Sequence, residues 1–214
     1  MNRKIVLVSL SALFLAGCSG AATPEVTPSP NAKTPEVTAE PTTEPEPEPT
    51  ETEVAEPTGT RQAPLAPGEA RKLSEESAWT VSLVATDLDA APEMLAANEY
   101  LTPPAEGEAF VVGTFSILVD GESLAAQGLD VTNEGVDPWM SLSIEYVTAS
   151  GTSYDTTAGS GCYTANMLYD QGTVYEGGVT VTGDECISMP AAEVEGGLWR
   201  ISNSMNESVW IRPM

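Results

Sequence analysis

Residues 109–119 read AFVVGTFSILV, the most apolar run in the chain beyond its first seventeen residues, and their reading decides the fold. The run is rich in β-branched and aromatic side chains, and its eleven residues suit one long strand better than a helix, which would show a polar face. A continuous apolar run of this kind is expected at the centre of a sheet, buried on both faces. Asp120-Gly121 ends it with a turn signal.

Outward from this strand the period is two. On the N-terminal side, Trp79, Val81, Leu83 and Ala85 alternate with Thr80, Ser82 and Thr86, which predicts a half-buried strand over residues 79–87. Residues 90–98 hold a helical turn or two before Pro103-Pro104 and Gly107 redirect the chain. On the C-terminal side, residues 139–148 (WMSLSIEYVT) alternate through Leu142, Ile144 and Tyr146, and Ser150-Gly151 turns them into a hairpin with residues 153–156. A short strand near residues 129–132 and β-prone pieces at 173–175, 178–182 and 186–189 follow the same logic. Residues 197–202 and 208–212 supply the closing strands. Six to eight short strands without a long helix predict an all-β chain folded as an antiparallel, immunoglobulin-like β-sandwich over residues 67–214. Trp79, Trp139, Trp199 and Trp210 lie in or beside alternating segments and are expected in the core and sheet packing.

The first third of the chain has a different character. Asn2-Arg3-Lys4 precedes the apolar run IVLVSLSALFL at residues 5–15, which has the length of a signal-peptide core and is too short to span a bilayer. Leu15-Ala16-Gly17-Cys18 then resembles a bacterial lipobox, which implies cleavage after residue 17 and attachment of a diacylglyceryl group, with palmitate-type chains, to Cys18. The alternative is ordinary secretory cleavage near Ala21-Ala22. Two acyl chains hold stably where one alone is marginal, at about 0.8 kcal/mol per buried CH₂. Residues 18–66 are rich in Pro, Glu, Thr and Ala, with TPEVT at 23–27 repeated at 34–38 and EPEPEP at 44–49. Proline removes backbone donors, the glutamates repel, and there is little to bury, so this stretch is expected to be a disordered tether. At about 3.1 Å per residue it reaches on the order of 150 Å when extended. The expected location is the extracytoplasmic face of the cell membrane, with lipid as the anchor.

With Cys18 assigned to lipid, Cys162 and Cys186 remain as a pair in an exported domain, where a disulfide is expected. Closing a loop of about 25 residues stabilises by roughly 3.5 kcal/mol in the chain-entropy model.

Four further motifs carry a family likeness: Pro103-Pro104 followed by Gly107-Glu108-Ala109-Phe110-Val111-Val112, then Tyr175-Glu176-Gly177-Gly178, then Gly183-x-x-Cys186-x-x-x-Pro190, and Gly196-Gly197-Leu198-Trp199. Together they resemble a family of actinobacterial secreted and lipid-anchored immunoglobulin-like (telokin-like) domains of unknown function, similar to the mycobacterial immunoprotective extracellular protein. The resemblance spans residues 67–214 and implies a turn at the glycine before the long strand, and an edge strand through the Gly-Cys-Pro segment leading to a C-terminal hairpin. It also implies that Cys162 and Cys186 occupy the usual disulfide positions. The chain departs from that family at residues 183–187, GDECI, where relatives tend to carry an Asn and a Phe around the cysteine.

Charge and composition narrow the function. The chain has 32 acidic and 8 basic residues and no histidine, for a net charge of −24. Residues 67–214 hold 23 acids against Arg71, Lys72, Arg200 and Arg212, so nucleic acid is not an expected partner. Histidine-dependent catalysis is excluded, and the domain's single lysine, Lys72, stands at its edge, so the chain is not expected to be an enzyme. No cofactor is implied. The weak calcium candidates are the oxygen donors Asp130, Asn133, Glu134 and Asp137, whose spacing does not match a helix-loop-helix calcium loop. Tyr163, Met167, Leu168 and Tyr169, all inside the expected disulfide loop, are the candidate binding surface, because amphipathic aromatics on a closed loop suit protein recognition. The expected role is a monomeric, non-catalytic binding or presentation domain that meets the membrane through its anchor and another envelope protein through its surface. A divalent-cation or small-ligand sensor is the alternative, with an envelope hydrolase behind it.

Overall fold

The computed structural model describes residues 58–157 and 161–213. Cys18, the signal segment and the expected tether up to residue 57 lie outside the described residues. Among those described, two four-stranded antiparallel sheets form a β-sandwich. The first runs β1 (Arg71–Lys72), β2 (Trp79–Asp87), β3 (Glu108–Val119) and β6 (Thr180–Pro190) in the order β1-β2-β3-β6. The second joins β4 (Leu142–Val147), β5 (Ser153–Tyr154), β7 (Leu198–Asn203) and β8 (Ser208–Ile211) in the order β5-β4-β7-β8.

β3 is the inner strand that the apolar run predicts. It pairs with β2 from Trp79↔Val119 to Asp87↔Val112, and with β6 from Glu108↔Pro190 to Leu118↔Thr180. Its residues Ala109, Val111, Phe115, Ile117 and Val119 face the other sheet and are buried. Burial on both faces holds only toward its start, where Phe110 is covered by the helix α1 (Ala91–Ala97) in a second apolar cluster with Ala90 and Ala91. Further along, Leu118 is exposed on the outer face.

Trp199, on β7, fills the space between the sheets. Its ring meets Phe115 of β3 and Tyr146 of β4 edge-on, each at a centroid distance of 5.1 Å. These T-shaped pairs place a ring edge against a ring face, the favourable quadrupole arrangement. The buried indole N–H donates to the Thr86 hydroxyl at 3.1 Å, and the Tyr146 hydroxyl donates to the Val194 carbonyl at 2.6 Å. Both polar atoms are thereby satisfied in an apolar layer, where an unmade bond costs about 1–3 kcal/mol. Burial pushes the Tyr146 phenol up to about 12.

A β-bulge makes the Thr86 contact. The β2–β3 register shifts between Leu83 and Ala85, so Ala85 pairs with Thr114 and Thr86 with Gly113. The extra residue, Val84, is exposed, and the alternation changes phase behind it. The expected inward Ala85 is therefore replaced by an inward Thr86, which is what the indole requires. Gly113, opposite Thr86, is without a side chain for a steric reason: a Cβ there would lie 2.7 Å from Trp199 Cζ2.

Several expected elements change on folding. Residues 129–132 are not a strand. Asp130 caps a short helix, α3 (Val131–Glu134), which follows α2 (Gly121–Ala126). Trp139 is not in a strand either: Asp137 caps, and Pro138 begins, the helical turn α4 (Pro138–Ser141), so β4 starts at Leu142. The expected pieces at 178–182 and 186–189 are one continuous strand, β6, that passes through Gly183-Asp184-Glu185 without turning. The folded body also begins before Pro67. Leu65 is buried, forms a parallel bridge with Ile211 and donates its N–H to the Trp210 carbonyl at 2.9 Å, while Trp210 N–H donates to the Gly59 carbonyl at 2.9 Å. Residues 58–66, expected as the end of the tether, thus extend the second sheet beside β8.

Gly113→Ala tests the central packing. The added methyl collides with Phe115 and Trp199, so it is expected to destabilise by about 1–3 kcal/mol. Urea unfolding should show a lower midpoint with an unchanged slope, and an unshifted midpoint would remove the steric role assigned to this glycine.

Candidate functional site

The Cys162–Cys186 disulfide forms as expected, with a Cα–Cα distance of 5.5 Å. Cys186, on β6, pairs with Val112 of β3, and Cys162 packs in the apolar cluster of α1 and Phe110. The bridge therefore ties residues 161–171 to the outer side of the first sheet. The tie is reinforced by backbone pairing: Asp184 N–H donates to the Asn166 carbonyl at 2.8 Å, and Met167 forms a parallel bridge with Asp184. Gly183 allows this close approach, since a Cβ would lie 2.7 Å from Leu168 Cα. Asp184 holds the segment from the side-chain end as well, accepting from the Thr114 hydroxyl at 2.7 Å and the Thr164 hydroxyl at 2.8 Å.

The four residues expected as a binding surface divide into two pairs. Tyr163 and Tyr169 are 45% and 40% exposed, whereas Met167 and Leu168 are each only 2% exposed. The buried pair anchors the segment, and the two tyrosines are presented by it. The reason is the 3₁₀ turn Leu168–Gln171, which directs Leu168 into the core and lifts the next side chain outward.

The structure adds a residue that periodicity assigns to the core. Trp139, on α4, is 39% exposed and sets its ring against Tyr169 at 5.8 Å and 64°. Tyr169 in turn lies 6.2 Å from Tyr163. Met140, beside Trp139, is also exposed. A surface cluster of three aromatic rings results, built from two segments distant in sequence. The Tyr163 hydroxyl donates to Asp170 at 3.1 Å, and that bond to a carboxylate raises the phenol's pKa. The sequence signal that bears on Trp139 is Asp137-Pro138 just before it: a capping residue followed by Pro at the first helical position shifts the tryptophan out of the strand period. Of the other tryptophans, Trp79 and Trp199 are buried as expected, and Trp210 is partly exposed with Arg61 and Arg200 over its ring at 5.6 and 6.0 Å.

The calcium candidates are not brought together as a ligand set. Asp130 accepts from the Thr132 N–H and from the Asn133 side-chain amide, and Asp137 accepts from the N–H groups of Trp139 and Met140. These carboxylates cap short helices, and the bonds from Thr132 and Asn133 lower the Asp130 pKa. Among the described residues no group of three or more His, Cys, Asp or Glu side chains is placed to hold a metal ion. A groove of about 890 Å³ lies between α2, α3 and the outer face of β3, lined by Lys72, Leu118, Asp120 and Leu129 among others. Its chemistry is spent on structure: Lys72 pairs with Asp120 at 2.7 Å, and that bond, with those from Ser123, holds the carboxyl far below its usual range while it caps α2.

One acid is placed unlike the rest. Glu185 sits on the inner side of β6 opposite Gly113 and is 3% exposed. Burial, with the negative charges of Asp155 and Asp184, pushes its carboxyl up to about 8.

No protein-family model matches the chain, and no curated protein does either. Two solved structures are similar to it. A conserved hypothetical protein from Bacillus anthracis is 12% identical over 69% of this chain and 95% of its own, with a TM-score of 0.38. An uncharacterized β-sandwich protein from Clostridium difficile 630 is 15% identical over 73% of this chain and 98% of its own, with a TM-score of 0.37.

Glu185 makes stability depend on pH. Its folded pKa lies above the unfolded value near 4.5, so the folded state holds a proton that the unfolded state releases. The resulting stabilisation is complete below that unfolded value and is lost as pH rises through about 8. Glu185→Gln, which keeps the shape and cannot ionise, is expected to melt with the parent at acidic pH and above it at alkaline pH. Parallel melting curves at every pH would show that Glu185 does not ionise in a buried site.

Proposed function

We propose that the protein is a lipid-anchored extracytoplasmic binding domain without catalytic chemistry of its own, carried at the membrane by diacylated Cys18 and docking another envelope protein through Trp139, Tyr163 and Tyr169. The observation that carries this reading is the exposed three-ring cluster on a segment fixed by a disulfide and by strand pairing. Rigid aromatics give large contact area at low cost in side-chain entropy, and aromatic anchors of this kind dominate protein interfaces. The lipobox likeness and the Pro/Glu-rich tether support the anchor. The likeness of residues 67–214 to the telokin-like secreted domains agrees with export and with a role outside the cytoplasm. Asp130 and Asp137 are engaged by backbone amides, so the cation-sensing alternative draws no support from its own candidate residues.

Two measurements test the two halves of the proposal. Mass spectrometry of the mature N-terminus is expected to find Cys18 carrying a diacylglyceryl group, and an unmodified terminus at Ser19 or beyond overturns the anchor. A photo-crosslinking residue at position 169 in intact cells is expected to give a discrete adduct that Trp139→Ala removes and that the same probe at exposed Glu69 does not form. Identical adducts from both positions overturn the docking surface.

A further inference from the structure

Beside Tyr163 the surface sinks into a hollow of about 400 Å³ between α1, the ends of β2 and β3, and the disulfide segment. Its apolar lining includes Met94 and Val112, Tyr163 is one wall, and Asp87, Glu93 and Asp184 contribute three carboxylates with no basic residue among the lining. Asp184 is locked in place by the two threonine hydroxyls it accepts from. The ion pairs among the described residues are Lys72–Asp120 and Arg200–Glu145, so none of the three hollow carboxylates has a cation within the fold.

We propose that this hollow receives a lysine or arginine side chain from a basic segment of the protein that docks on the aromatic cluster, an inference that rests on the docking role proposed above. A long basic side chain has two parts, and the hollow matches both. Its methylene stem packs on apolar surface such as Met94 and Val112, and its cationic head meets carboxylates and the face of a tyrosine. The hollow's volume lies at the lower end of the range of ligand pockets, enough for one such side chain. Charge complementarity favours the same occupant, because 23 acids against four basic residues over 67–214 attract basic partners and repel acidic ones. Tyr163 belongs to both the hollow and the ring cluster, so a partner seated on the rings has the hollow directly beside it.

The strongly acidic surface attracts any cation, so the test must separate the hollow from the general field. The full-length protein is titrated with tri-lysine amide and tri-arginine amide at 0.15 M salt, with tri-glutamine amide as the neutral probe, and the Met94 methyl signal is followed by NMR. Asp87→Asn/Glu93→Gln removes two charges at the hollow, and Glu75→Gln/Glu76→Gln removes two from an exposed turn elsewhere. The inference expects at least tenfold weaker binding of a basic peptide by the first variant, less than twofold weakening by the second, and a Met94 shift only with a basic peptide. Equal weakening by both variants, no weakening by either, or a Met94 signal that does not move overturns it. Melting temperatures of both variants matching the parent exclude misfolding as the cause. If the adduct from position 169 survives with Asp87→Asn/Glu93→Gln while basic-peptide binding is unchanged, the docking surface stands and the hollow falls. If the peptides respond as expected and no adduct forms, the hollow stands as a cation site and the docking surface falls.

Discussion

Trp199 can lie between Phe115 and Tyr146 because three unrelated positions make room for it. Gly113 withholds a side chain, the bulge at Val84 turns Thr86 inward to accept the indole N–H, and the Tyr146 hydroxyl finds a carbonyl beyond the ring. The bulge departs from regular alternation and Gly113 leaves a gap in it, and both are explained by the same ring. Interiors pack at crystal-like density, so a tryptophan at the sheet interface dictates its neighbours' size and polarity. The contact joins β3 of one sheet to β4 and β7 of the other.

The architecture was legible where hydrophobic period and element coincide. Residues 79–87 and 109–119 are strands because their apolar residues meet a sheet on at least one side, and the Cys162–Cys186 pairing followed from parity and compartment. What escaped the sequence was decided by contacts between distant segments. Gly183-Asp184-Glu185 has turn chemistry, yet it runs straight because the glycine admits Leu168 and the aspartate is satisfied by two threonines. Residues 58–66 offer one large core side chain, Leu65, and are held by it and by hydrogen bonds to β8. Trp139 fits a strand period on paper, but the cap at Asp137 takes precedence over alternation.

The candidate site was half legible for the same reason. Closed loop and aromatic content identified Tyr163 and Tyr169, while nothing in the composition of residues 162–169 says which side chains point inward. Burial of Met167 and Leu168 is what gives the tyrosines their rigidity, so the anchoring and presenting residues alternate within one short segment. The partner ring comes from α4, which the loop reading did not contain. A ring cluster assembled from two segments has no contiguous signature and appears only after folding.

The pairing of Asn166 and Met167 with Asp184 of β6 also bears on how the outer strand of this sheet meets other molecules. β6 is the outer strand of its sheet, and an uncovered outer strand is a template for strand addition by a neighbouring molecule. Here the Asp184 amide is already committed to the Asn166 carbonyl, the covering segment is fastened covalently at Cys186, and a buried acid, Glu185, points inward from the same strand. A covered margin is one of the means by which β proteins avoid fibrous self-association. The segment that displays Tyr163 and Tyr169 thus also covers part of the outer strand, so the same few residues set the ring cluster and close a strand margin to a neighbouring molecule.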